Sequence, residues 1–269
     1  MLLTIDVGNT EMKLGVYGKE RKGQAQLIRV WRLTTERRRT ADEYGIQFVD
    51  LFAFAGLDPH GVTAVAIASV VPACERSLRM ACEAYFGVEP TFLRSAAQTL
   101  IPIRTQQPRE LGADIVAGAI GGVEKYGAPL IVVGYGTATT YAAISAEGEI
   151  LGTAIAPGIQ ISFDALVGRT AQLPQVSLES INSVIGRNTQ EALQSGVIYG
   201  VIGQTEGIVA RMRAELGLET HVVATGGLAD LVARHQDIFD AIDAVDPHLN
   251  LEGLRLFART LERVPADAT

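Results

Sequence analysis

The sequence predicts an α/β protein built from two duplicated lobes, and three observations carry that expectation. Short apolar strands alternate with helical patterns along the whole chain. A strand, a glycine turn and a second strand occur twice, with Leu3-Thr4-Ile5-Asp6-Val7-Gly8-Asn9 lying over Ile131-Val132-Val133-Gly134-Tyr135-Gly136-Thr137, each followed by further strands and then helices. The composition, 269 residues with 48% hydrophobic and 20% charged side chains, supplies apolar surface for a sizeable core and too little charge for disorder. The division expected from the repeat is an N-terminal lobe over 1–111 and a C-terminal lobe over 112–269.

Each element has a local reason. Leu2 to Val7 is an apolar run, and Met12, Leu14 and Val16 alternate with polar or small residues, so two strands flank a Gly8-Asn9 turn. A third strand is expected over Ala25 to Leu33. Phe48, Leu51, Phe52 and Ala55 repeat at helical spacing and predict a helix from Ala41 to about Gly56. Val62 to Val71 reads as a buried strand stopped by Pro72, Cys74 to Phe86 as a helix, Thr91 to Leu93 as a short strand, and Ile101 to Glu110 as a connector. The second half predicts a helix from Ala113 to Tyr126 and strands at Leu130 to Val133, Ala138 to Ile144 and Glu149 to Ile155. A helix and polar loop over 158–188, a long helix from Thr189 to Leu216, a strand from His221 to Ala224 and a closing helix from Leu251 to Leu261 follow. Within the long helix, Gly196, Gly200, Gly203 and Gly207 fall on one face, although glycine costs about 1 kcal/mol relative to alanine in a helix interior. That face packs either inside the subunit or against a second copy.

Charge and composition exclude several classes. Thirty acidic against twenty-three basic residues give a net charge of -7, and the pI is near 5.2, so no basic field exists to hold a nucleic acid. The short charge runs at Lys19 to Lys22 and Glu36 to Arg39 read as solvated loops. No apolar run reaches the roughly 18 to 20 residues of a membrane helix, and Met1-Leu2-Leu3-Thr4-Ile5-Asp6 lacks a basic and apolar leader. A cytoplasmic location is expected. Cys74 and Cys82 on one helix would stand about 12 Å apart at 1.5 Å per residue, too far for a disulfide. The histidines have no zinc-ligand spacing.

Chemistry is carried by the turns. Gly134-x-Gly136-x-x-Thr139 lacks the third glycine of a dinucleotide fingerprint and is followed by a strand where a helix is needed. No Walker loop or serine-nucleophile elbow occurs. What remains is a pair of glycine turns related by the repeat. Their backbone N–H groups and threonine hydroxyls suit phosphate oxygens, and Asp6 can hold Mg2+ directly or through water.

Asp6-Val7-Gly8-Asn9-Thr10, Ser69-Val70-Val71-Pro72, Pro108-x-Glu110-Leu111-Gly112-Ala113-Asp114, Gly136-Thr137-Ala138-Thr139-Thr140, Pro157-Gly158, Thr170-Ala171-x-Leu173-Pro174, Gly186-x-Asn188-Thr189 and Leu251-Glu252-Gly253-Leu254 occur in order across the chain. In content and spacing they resemble the type III pantothenate kinases. The resemblance implies the duplicated actin-like, ribonuclease H-like lobes of the acetate kinase, sugar kinase, Hsp70 and actin superfamily, usually as a homodimer. It implies ATP-dependent phosphorylation of pantothenate to 4′-phosphopantothenate, the first step of coenzyme A synthesis. By the same resemblance Asp6, Val7, Gly8, Asn9, Thr10 and Lys13 would line the ATP phosphates, with Asp6 toward Mg2+, and Gly136 and Thr137 would meet ATP from the second lobe. Asp114 matches the family's proton acceptor, Thr189 its pantothenate contact, and Gly112 and Ala113 would shape the same pocket.

Three positions depart from the family pattern. Gly134 stands where the family has the Asp that binds an activating monovalent cation, K+ or NH4+, so that site is expected to lack its carboxylate. Ile115 stands where an Arg follows the catalytic Asp, and Thr105 where a Tyr borders pantothenate. These departures keep two further readings open: a regulatory member similar to the Bvg accessory factors, and a kinase of another small alcohol.

Overall fold

The computed structural model describes residues 1–19, 25–94, 100–168, 183–217, 219–229, 231 and 240–261. The Thr170 to Pro174 motif lies outside them, as does Lys22. The described strands form two five-stranded sheets of the same topology, and the chain divides into two compact units, Met1–Gly121 with the segment from Leu249 onward, and Gly122–His248.

In the first unit the strands are β1 (Leu2–Val7), β2 (Glu11–Tyr17), β3 (Leu27–Thr34), β4 (Ala64–Ser69) and β5 (Thr91–Phe92), in the order β3-β2-β1-β4-β5. β1 is antiparallel to β2 and parallel to β4, which places Asp6 opposite Lys13 on one side and Ala68 on the other. The period of two sorts the side chains by face. Leu3, Ile5, Val7, Met12, Leu14 and Val16 bury into a core with Phe48 and Phe52 of helix α1 (Ala41–Phe54) and Phe86 of α2 (Pro72–Phe86). Thr40 opens α1 with a capping box, its side chain accepting from the Glu43 N–H while Glu43 accepts from the Thr40 N–H. Cys74 and Cys82 are buried free thiols of α2, and burial pushes Cys82 up to about 12.

The second unit repeats this frame with β6 (Leu130–Tyr135), β7 (Ala138–Ile144), β8 (Ile150–Pro157), β9 (His221–Thr225) and β10 (Ala244–Val245), in the order β8-β7-β6-β9-β10. Ile131, Val133 and Tyr135 form its core with Ile159 of α4 (Ile159–Gly168) and with Ile198, Ile202 and Val209 of α5 (Thr189–Leu216). This core holds a polar knot: Thr205 Oγ1 lies 2.9 Å from the Tyr135 hydroxyl and 3.0 Å from that of Tyr141. Burial of these hydroxyls requires such pairing, because an unpartnered one would cost about 1–3 kcal/mol.

The units differ from the expected 1–111 and 112–269 lobes. Helix α3 (Ala113–Tyr126) contributes its residues through Gly121 to the first unit. The last helix, α6 (Leu249–Leu261), returns to that unit, packing on β1, β2 and β4. The reason is a close helix crossing. A methyl group on Gly253 would overlap the Ala117 carbonyl, and one on Gly121 would overlap the Leu249 carbonyl. The two backbones therefore meet directly, which only glycine permits here.

Candidate active site

Asp6 sits near the end of β1 on the face away from the aromatic core, and α6 covers that face. Its Oδ2 accepts a hydrogen bond of 2.9 Å from Asn250 Nδ2. Its Oδ1 is sealed from solvent and has no hydrogen-bond partner. Burial is the main reason that the Asp6 carboxyl is pushed up to about 6, and the nearby charge of Asp114 adds to it, while the Asn250 amide and Lys13 pull the other way. Lys13, opposite Asp6 on β2, is itself buried.

The turn after Val7 is tightly closed. Gly8 N–H donates to the Glu11 carbonyl at 3.0 Å, and a side chain on Gly8 would press on that same oxygen. The segment after β3 staples this turn: Thr35 Oγ1 donates to the Gly8 carbonyl at 2.7 Å, and Thr35 N–H donates to the Thr10 carbonyl at 2.9 Å. Arg37 Nη2 donates to Asn9 Oδ1 at 3.1 Å. Asn9 and Thr10 are exposed at the tip of the turn. Arg37 belongs to the charge run read as a solvated loop; it is exposed, as expected, and also has a partner in the Gly8-Asn9 turn.

Asp114 lies in the first turn of α3, and its Oδ1 accepts the Ile115 N–H at 2.9 Å. Gly112 leaves room for it, since a methyl group on Gly112 would overlap Asp114 Oδ1. Ala113 beside it is buried. Burial holds the Asp114 carboxyl above the ordinary carboxylate range, against the two backbone N–H groups that favour its charged form. Asp6 and Asp114 are thus two part-buried carboxylates in one unit, and the charge of Asp114 is felt at Asp6. Among the described residues no group of three or more His, Cys, Asp or Glu converges as a metal cluster. A divalent cation here would lean on Asp6 with water and phosphate oxygens, the manner in which Mg2+ is commonly held. Thr105 Oγ1 is also buried without a partner.

The remaining expected residues lie in the second unit. Gly136 closes the β6–β7 turn by donating its N–H to the Ala138 carbonyl at 3.1 Å, and Thr137 follows it half-buried. Gly134 pairs with Thr140, and a side chain there would approach Thr140 Oγ1 to 2.7 Å. That position therefore offers neither a carboxylate nor unobstructed space for one. Thr189 is the first residue of α5, just after the cap Asn188, whose side chain accepts the Glu191 N–H at 2.9 Å. It lines a cavity of about 520 Å³ with Ser162, Leu166, Leu193, Gly196 and Gln204. The structure brings Asp6, Val7, Gly8, Asn9, Thr10, Lys13, Gly112, Ala113 and Asp114 into the first unit, and Gly136, Thr137 and Thr189 into the second. Sequence reasoning missed Asn250, Thr35 and Arg37. Only contact across many residues identifies them.

Comparison with known proteins bears directly on this arrangement. The family model described as type III pantothenate kinase matches residues 2–211. Relatives named type III pantothenate kinase include one from Roseiflexus sp. (strain RS-1), 49% identical over 95% of this chain and 97% of its own. Those from Myxococcus xanthus, at 48% over 95% and 97%, and Listeria welshimeri, at 41% over 96% and 97%, agree. Solved structures of low identity share the fold: Porphyromonas gingivalis acetate kinase, with TM-score 0.54 and 12% identity over 97% of this chain and 99% of that one. The activator of the 2-hydroxyisocaproyl-CoA dehydratase from Clostridium difficile gives TM-score 0.55 and 12% identity over 100% and 99%. The two repeated sheets are those of the acetate kinase and actin-like ATPase fold, and the chain belongs to the type III pantothenate kinase family.

Proposed function

We propose that the protein transfers the γ-phosphoryl group of ATP to the primary hydroxyl of pantothenate, giving 4′-phosphopantothenate and ADP at the entry to coenzyme A synthesis. The observation that carries this reading is the part-buried carboxylate pair, Asp6 with its sealed Oδ1 and Asp114, in one unit beside a stapled glycine turn. Asp114 accepts the proton of the attacking hydroxyl. A carboxyl raised by burial is a stronger base once ionised, and general base catalysis of this kind contributes about 10²–10⁴-fold. Gly8, Asn9 and Thr10 donate to phosphate oxygens, Lys13 supplies positive charge, and Gly136 and Thr137 bind ATP. Gly112 and Ala113 shape the pantothenate site, and Thr189 donates to the substrate.

The donor set suits Mg2+, because Asp6 Oδ1 is a buried, unpartnered oxygen of the kind that a hard cation satisfies. Bound there with ATP, Mg2+ would neutralise charge developing on the phosphate oxygens. Gly134 supplies no carboxylate for K+ or NH4+, and the proposal includes turnover that does not depend on them. It also includes a cytoplasmic location and a homodimer. The support for a second copy is the α5 face on which Gly196, Gly200 and Gly203 have no described atom within 4 Å of where a side chain would start. Among the described residues, packing inside the subunit does not account for those glycines.

A coupled ADP-release assay with Mg2+, with and without pantothenate, tests the reading. Pantothenate-dependent turnover is expected. ATP binding with no turnover on any alcohol would favour a regulatory role similar to the Bvg accessory factors, to which Ile115 and Gly134 lend support. Turnover with another alcohol alone would reassign the acceptor, where Thr105 and Ile115 alter the pocket.

A further inference from the structure

We propose that Asn250 is a positioning residue for the metal-binding carboxylate, an inference that rests on Asp6 serving the cation as above. Asn250 lies in the first turn of α6, 244 residues from Asp6 in the chain, and its amide binds Oδ2 alone. A carboxylate free to rotate could turn either oxygen, or both, toward a cation. One oxygen tied at 2.9 Å fixes the carboxylate plane, and the other, Oδ1, is left buried and bare. The hydrogen bond would thereby leave Oδ1 as the oxygen most open to a cation and hold the carboxylate plane in which it points.

The placement of Asn250 is also built. α6 meets α3 backbone to backbone at Gly253 against Ala117 and at Gly121 against Leu249. α3 carries Asp114 in its own first turn. The one crossing therefore locks the turn that grips Asp6 to the turn that carries the other carboxylate. An outer group that orients a ligand commonly changes metal affinity by about 10–100-fold when removed.

The test is Mn2+ binding in place of Mg2+, followed by the paramagnetic signal of the free ion, on the full chain with a non-hydrolysable ATP analogue. Two variants lack the donor, Asn250→Ala and Asn250→Leu, and Asn250→Ser keeps one. The donor-less variants are expected to bind Mn2+ at least about tenfold more weakly, with the KM for pantothenate unchanged and the activating Mg2+ concentration raised in proportion. Asn250→Ser should recover most of the affinity. Melting temperature followed alongside identifies folded protein, and either donor-less variant that folds decides the matter. Wild-type Mn2+ affinity in a folded donor-less variant would overturn the proposal, as would equal losses in the serine and donor-less variants. Asp6→Asn reports separately on the underlying reading: if that variant binds Mn2+ as the wild type does, Asp6 is not the ligand.

Discussion

The β1–β2 and β6–β7 hairpins occupy the same place in two sheets of the same order, yet they carry different chemistry. On β1 and β2 the facing pair is Asp6, part-buried, and Lys13, buried. At the corresponding position on β6 and β7 the pair is Gly134 and Thr140. Each hairpin closes on itself, through Gly8 and through Gly136, but the first is braced from outside by the side chains of Thr35 and Arg37 and the second by the Leu228 backbone N–H on the Tyr135 carbonyl. The cores differ in the same sense: aromatic rings pack Trp31, Phe52 and Phe86 beneath the first sheet, and hydroxyls knot around Thr205 beneath the second. Duplication supplies two glycine turns, and the facing ionic pair stands beside only one of them.

If the charges of the first unit do the catalytic work, the largest effect comes from Asp114→Asn. It is expected to lower kcat by about 10²–10⁴-fold while ATP binding, measured by calorimetry, persists. Retention of kcat would move the base elsewhere.

Asp6→Asn should act on stability as well as on metal binding. In the folded chain Asp6 titrates at about 6 instead of its ordinary 3.8, so between those values the folded form holds more protons than the unfolded one. Stability therefore falls as pH rises through that window, and the loss is complete above it. The asparagine variant, without Mg2+ or nucleotide, should melt a few degrees above the wild type at pH 7.5, given about 2–4 °C per kcal/mol for a chain of this class. The difference should vanish near pH 4, and the variant should lose the stabilisation by Mg2+ and ATP seen in the wild type. Equal melting temperatures across this range would show that Asp6 pays no penalty for its burial.

Arg37→Ala removes the brace on Asn9. Because Arg37 is exposed, a cost of about 0.5–1.5 kcal/mol is expected. That corresponds to a KM for ATP raised about two- to tenfold with the KM for pantothenate unchanged. The smallest effect belongs to the second hairpin: replacing K+ by Na+ should change kcat/KM by less than about twofold, below about 0.5 kcal/mol. A strong K+ requirement would mean that oxygen ligands other than a carboxylate at position 134 have taken over.

What could be read in advance follows from the range of the forces involved. The β1–β2 hairpin, the limits of α3 and α5 and the offset between Leu3 and Ile131 come from local periodicity and repetition, which the chain displays residue by residue. β10, two residues long, has no period to display. The closing helix was expected from Leu251 and begins at Leu249, so Asn250 fell just outside it and its grip on Asp6 stayed invisible. The boundary at 111/112 missed α6 because nothing in a linear pattern announces that a final helix will pack on the first strand. Arg37 is a solvated cation as its charge run predicts, but its bond to Asn9, 28 residues away, has no local signal. Of the candidate site, the glycine turns and Asp6 are proposed from the repeat and Asp114 from the family resemblance, whereas the residues that hold them in place have no signal in the sequence.

The glycine crossing of α3 and α6 sets an order of events on the ribosome. β1 to β4 emerge early, but the face of β1 that bears Asp6 stays uncovered until more than a hundred further residues have been made. The intervening second unit, contiguous in sequence, can fold first during synthesis. Protein with Asp6 held by Asn250 should therefore arise only after α6 has cleared the exit tunnel, and a nascent chain stalled before Leu249 should expose its β1 face to chaperones.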